Sequence, residues 1–168
     1  MLSKLGALIT AVAVSAVTLL LTTQPANADR SATFRLSTPA VATSRGATTL
    51  TCDAEVHGTS YVYPEGDAGV TVGANTTCTR PLGLSGSIFV IPRVEEMGPA
   101  VCSTVFNDTC PIADRAVPAA YAPGDLVVLR YTVVLTAGPQ FTWTTIPGEC
   151  TVSGPRLTCV ITGIFIVA

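Results

Sequence analysis

The chain has 168 residues, with nine Lys and Arg, eleven Asp and Glu, one His and a formal charge of −2. Charged residues are only 12% and hydrophobic ones 48%, so a charge-rich disordered chain is excluded. No basic excess exists to neutralise phosphates, which removes nucleic acid from the partners considered.

The N-terminus opens on Met1-Leu-Ser-Lys4, followed by an apolar run from Leu5 to Leu21 and then Ala26-Asn27-Ala28. A charged start, an apolar stretch and a small-x-small site in that order are what a secretory signal helix requires. The reading is a signal peptide over 1–28, cut after Ala28, with no membrane span left afterwards. A retained anchor is the alternative, because a spanning helix needs about 20 apolar residues. Residues 29–168 then carry eight Arg and no Lys against eleven acidic residues, a formal charge of −3. They fit one domain. Residues 29–47, rich in Ser, Thr and Ala, read as a partly flexible segment, and 48–168 as the folded domain.

After residue 28 no helical period is sustained. Short β-branched runs recur between Gly, Pro, Asn and Asp clusters, and predict strands at 32–36, 48–57, 69–78, 84–91, 100–106, 126–136, 140–145 and 157–167. In the clearest, Val127, Leu129, Tyr131, Val133 and Leu135 face one way and Val128, Arg130, Thr132, Val134 and Thr136 the other. Pro123-Gly124-Asp125 launches it. The fold class expected is all-β: an antiparallel immunoglobulin-like sandwich of about seven to eight strands.

Six cysteines fall within 29–168: Cys52, Cys78, Cys102, Cys110, Cys150 and Cys159. An even number in an exported chain implies a disulfide framework. Structural zinc favours paired ligands about two to four residues apart, often with His, and that spacing is absent. Leu50, Cys52, Ala54 and Val56 share one strand face, as do Val70, Val72, Ala74 and Cys78, which suggests Cys52–Cys78. Cys102 and Cys110 flank a segment able to turn back. Cys150 and Cys159 flank Ser153-Gly154-Pro155-Arg156, a hairpin-type turn. The pairing expected is therefore sequential, and it leaves no cysteine for chemistry.

Leu50-Thr-Cys-Asp-Ala-Glu-Val56, Tyr63-Pro64 and Asn75-Thr-Thr-Cys-Thr-Arg-Pro81 together resemble a group of small exported actinobacterial proteins of unknown function. Pro123 to Val133 and Pro147 to Cys159 resemble the closing strands of immunoglobulin-like repeats in bacterial surface proteins. These resemblances imply a fold and transfer no catalytic residue.

Four sets of residues are candidates for function. Asp53, Glu55 and His57 lie on one face of one strand, and could meet a metal or act as acid and base. A half-buried strand needs a polar face in any case, which is the plainer account. His57 is the one imidazole, so any Ser-His or Cys-His mechanism must use it. Gly83-Leu-Ser85-Gly-Ser87 misses the G-x-S-x-G spacing and precedes a strand rather than following one. Tyr61 with Tyr63, and Phe141 with Trp143, could offer aromatic surface to a protein or a carbohydrate, although a lone Trp in a sandwich more often packs inside. Ile112, in Thr109-Cys-Pro-Ile-Ala-Asp-Arg115, stands in a stretch similar to one in small secreted subtilisin inhibitors. No cofactor motif is present, and no catalytic motif indicates an enzyme. The functional reading is a secreted, non-enzymatic interaction module, extracellular or associated with the cell envelope. The alternatives are a disulfide-anchored protease inhibitor and a small enzyme or metal-binding protein using His57.

Overall fold

The computed structural model describes residues 30–91 and 95–168 (for 95–105 the backbone alone), so the signal segment and its cleavage site lie outside the described residues. The described chain is all-β and antiparallel: β1 (Arg30–Arg35), β2 (Ala40–Ser44), β3 (Thr49–Val62), β4 (Ala68–Ile91), β5 (Glu95–Ala116), β6 (Leu126–Thr136), β7 (Phe141–Thr145), β8 (Cys150–Ser153) and β9 (Arg156–Ile166). The sheet order is β7-β2-β3-β4-β6-β9-β8, with β1 added to β3 and β5 to β4.

Strict alternation builds the interior. Leu50, Cys52, Ala54 and Val56 of β3, Val127 to Leu135 at odd positions of β6, and Leu157, Cys159, Ile161 and Phe165 of β9 are all buried. Their even or odd neighbours face outward, as a period of two dictates. Within this core the Thr76 hydroxyl and the Tyr131 phenol are hydrogen-bonded at 2.9 Å, so neither buried oxygen goes unmet.

Two expected strands, 69–78 and 84–91, are one. Pro81 reads as a breaker because it has no N–H to donate, yet β4 continues through exposed Thr79, Arg80 and Pro81. It changes partner there: residues up to Cys78 pair with β3, and Gly83 to Ile91 pair with β6. Along β5 the register passes from Thr77↔Thr109 to Leu82↔Asn107, so β4 spends extra residues on the bend. Across the interior, Gly58 of β3 lies against Leu129 of β6 and Phe165 of β9. Phe34 of β1 packs over Gly163 of β9, where a Cβ would overlap the ring; this is why a residue without a side chain is needed there.

The sheet is nearly closed. One end, β7, is tied to the β8–β9 turn by Trp143, whose indole N–H donates to the Pro155 carbonyl at 3.0 Å. The same carbonyl accepts from the Ala137 amide. Residues 29–47, read as partly flexible, contain β1 and β2, and Ala40 and Ala42 are fully buried. Two strands escaped the sequence reading: β2, a five-residue run of mostly small side chains, and β8, only four residues long.

Cys52–Cys78 and Cys150–Cys159 are disulfides. Each joins directly opposed residues of neighbouring strands, with Cα atoms 4.1 and 4.0 Å apart. Cys110 is buried opposite Thr76; the expected Cys102–Cys110 pair lies outside the described side chains at Cys102. Two intramolecular disulfides suggest an oxidising, extracellular environment.

A second contact closes the seam from the side. The Ser37 hydroxyl, between β1 and β2, reaches both carboxylate oxygens of Glu149 before β8, at 2.8 and 3.0 Å. That hydrogen bond, with backbone amides, holds the Glu149 carboxyl below its ordinary value of 4.5 against a small opposing effect of burial. A carboxyl depressed on folding contributes stability that is complete above its unfolded-state value and lost as pH falls through the lowered one. Glu149→Gln is therefore expected to remove part of the stability difference between about pH 7 and about pH 3, and urea titration at both pH values measures it.

Candidate functional site

The aromatic pair is formed by a hairpin. Tyr63-Pro64-Glu65-Gly66 is a tight turn in which the Gly66 amide donates to the Tyr63 carbonyl at 2.9 Å, and the Tyr63 amide donates to Asp67 at 2.7 Å. Proline suits the second position of such a turn, and Gly66, at φ +96°, takes a left-handed conformation that favours glycine. Tyr61 stands opposite Gly69, and its ring lies where a Cβ on that glycine would be. The rings of Tyr61 and Tyr63 meet edge to face, with centroids 5.1 Å apart and planes at 84°. Their hydroxyls are 3.0 Å apart. That hydrogen bond, then burial, then the neighbouring phenol raise the Tyr61 pKa above its ordinary value of 10.0, so the Tyr61 phenol stays neutral at physiological pH. Tyr61 is half-buried and Tyr63 is 45% exposed. The arrangement is a notch with an exposed rim. It is not the coplanar surface on which a sugar chain stacks.

The other candidates are placed differently. Trp143 is 6% exposed and is spent on the seam, so it offers no surface. Ile112 lies in β5 opposite Ala74, with its side chain buried, whereas an inhibitory segment presents its contact residue from an exposed loop. The proline at 111 reads as loop chemistry, but Pro111 pairs with Asn75 within the ladder.

Asp53, Glu55 and His57 do line one face of β3, yet each has its own surroundings. Glu55 pairs with Arg35 at 2.8 Å. Asp53 opposes Thr77 and, with Arg35, Leu36, Glu55 and Asn75, lines an open groove of about 290 Å³. His57 Nε2 lies 2.6 Å from Asp114 Oδ1 of β5. Among the described residues no group of three His, Cys, Asp or Glu could hold a metal ion.

Asp114 is the partner that the sequence reading missed. It meets His57 across an intervening strand, because Gly73 of β4 stands opposite His57 and leaves the space open. The signal in the sequence is that glycine inside Val70-Thr-Val-Gly-Ala74, a break in alternation that marks close approach. A Cβ at Gly73 would overlap both Asp114 Oδ1 and His57 Nε2. Gly73→Ala is expected to cost about 1 kcal/mol through loss of this half-exposed pair. In an Asp114→Ala background the same change should become neutral or stabilising, since alanine also restricts the unfolded chain. A double-mutant cycle by urea unfolding reads the difference. A carboxylate fixes the orientation of an imidazole, but no nucleophile accompanies this pair among the hydrogen bonds described.

Among the described residues, fold and site together define a disulfide-stapled antiparallel β-domain with an exposed edge-to-face tyrosine pair. Comparison with protein-family models, with curated proteins and with solved structures finds no match.

Proposed function

We propose that this chain is a secreted, non-enzymatic interaction module that engages a protein partner through the Tyr61–Tyr63 notch. The observation that carries the reading is the exposure of Tyr63 on a rigid hairpin, beside a ring already held in place. Tyrosines are favoured at protein interfaces because a large, stiff, amphipathic ring is ordered at little entropic cost. The edge-to-face geometry favours a protrusion from a protein over a flat carbohydrate. The signal segment over 1–28 and the two disulfides support export and release after Ala28, with residence outside the cell or in its envelope. The two facing halves of the sheet support an immunoglobulin-like sandwich; the bridges differ from an immunoglobulin inter-sheet disulfide in lying within single ladders.

Tyr63→Ser is the informative change, since Tyr61 also covers Gly69 and its loss would disturb the sheet. Removing one interface tyrosine of this kind costs about 2 kcal/mol, roughly a thirtyfold loss of affinity. The folded domain is expected to retain a protein from its own extracellular milieu, and Tyr63→Ser to lose it with unfolding stability unchanged. Equal capture by both would reject the notch as the site.

A further inference from the structure

The outer face of the sheet is not uniformly polar. On β6 and β9 it carries Thr132, Thr136, Thr158 and Arg156, with half-buried Val134 and Val160 among them, toward one end, but Leu126, Val128, Ile164 and Ile166 toward the other. These four are adjacent: Leu126 opposes Ile166 and Val128 opposes Ile164. Ile91, the last residue of β4, opposes Val128 and extends the patch to a third strand. Leu126 and Ile164 are 60% and 59% exposed, and Ile91 and Ile166 are exposed as well. Contiguous aliphatic surface of this kind marks a binding face.

The chain enters the domain at the same end. Arg30 opposes Ser60, and the Ser60 hydroxyl accepts from the Ala168 amide at 2.9 Å. Val167 in turn exchanges hydrogen bonds with Gly124 and Asp125, just before Leu126. The sequence ahead of Arg30 contains the apolar run Leu5–Leu21. The connection from Leu21 to Arg30 can span at most about 30 Å, so a bilayer holding that run lies within reach of the patch. Arg130, exposed in the next row of β6, stands where a long basic side chain reaches lipid headgroups while its stem lies along apolar surface.

We propose that Ile91, Leu126, Val128, Ile164 and Ile166 form a lipid-contact face. It rests on the bilayer that the N-terminal apolar segment enters, for as long as residues 1–28 remain attached. A second copy of the chain fits the patch less well: five aliphatic side chains are few beside the roughly 20–30 residues a side of a stable interface. The contact is apolar, so neutral lipid suffices. This assignment goes beyond the tyrosine notch and uses none of its residues.

The test uses the full chain with Leu126→Trp, mixed with phosphatidylcholine vesicles carrying brominated acyl chains. The added indole is expected to shift to the blue and lose most of its emission to the bromines. The native Trp143, buried at the seam, supplies an unchanged baseline in the wild-type chain. Ile166→Trp, at a second exposed position, should behave as Leu126→Trp does, and Thr136→Trp, at the far end of the same strand, should stay unquenched. Unquenched emission at both 126 and 166, or equal quenching at 136, would overturn the proposal. So would a blue shift at 126 without lipid that grows with protein concentration, because the face would then be covered by a second copy.

Discussion

Trp143→Ala is expected to destabilise the domain by about 3–5 kcal/mol, the range for truncating a large buried aromatic. Two losses combine. The ring is almost completely buried, so its removal leaves a cavity that the sheet can only partly fill. Its N–H also donates to Pro155, the contact that draws β7 toward the β8–β9 turn. Trp143→Phe separates the two: it keeps most of the apolar volume and loses the hydrogen bond, and should cost less. Urea unfolding followed by far-ultraviolet circular dichroism reports both variants without the tryptophan signal. The total stability of a domain this size is about 5–15 kcal/mol, so the alanine variant approaches the limit of folding.

The second large effect concerns the disulfides, and here loop length sets the order. Cys52 and Cys78 are 26 residues apart, and Cys150 and Cys159 are 9 apart. Restriction of the unfolded chain grows with the logarithm of the loop, giving roughly 3.6 kcal/mol for the first and roughly 2.7 for the second. Replacing Cys52 and Cys78 together with alanine is therefore expected to cost about 1 kcal/mol more than replacing Cys150 and Cys159. The difference should widen further because Cys52 and Cys78 are buried core residues that close one end of the β3–β4 ladder. The measurement is the urea midpoint and slope for each double variant against wild type, with the other bridge intact.

Much of this architecture was readable from alternation alone. Leu126 to Thr136 is a strand with the boundaries that its period of two predicts, and the turn cluster at 153–156 correctly aligned Cys150 with Cys159. Inward faces in the sequence also gave Cys52–Cys78, because both residues share parity with buried neighbours. The reading failed where a local signal met a tertiary one. Pro81 carries a true local preference against a ladder, but β4 meets it at a bend where partners change. Ile112 looked like a loop contact because it follows Pro111; its burial depends on the β4–β5 pairing. Trp143, read as core more than as surface, is buried. Asp114 could not be paired with His57 from spacing, since 57 residues separate them and only the three-strand arrangement β3-β4-β5 brings them together. For Tyr61 and Tyr63, beside Pro64 and Gly66, the sequence left surface and core evenly balanced; the turn exposes Tyr63 and leaves Tyr61 half-buried.

The proposed contact with a partner rests on Tyr63. Its most direct test is a photo-crosslinking amino acid placed at position 63, with the same group at Phe106 as a control. Among the described residues Phe106 is a second exposed aromatic, at 77%, and lies on β5 beside the pairing of Asn107 with Leu82. Irradiation in the native extracellular milieu should give one discrete protein adduct from position 63 and none of that mass from position 106. No adduct at 63, or the same adducts from both positions, would contradict the account.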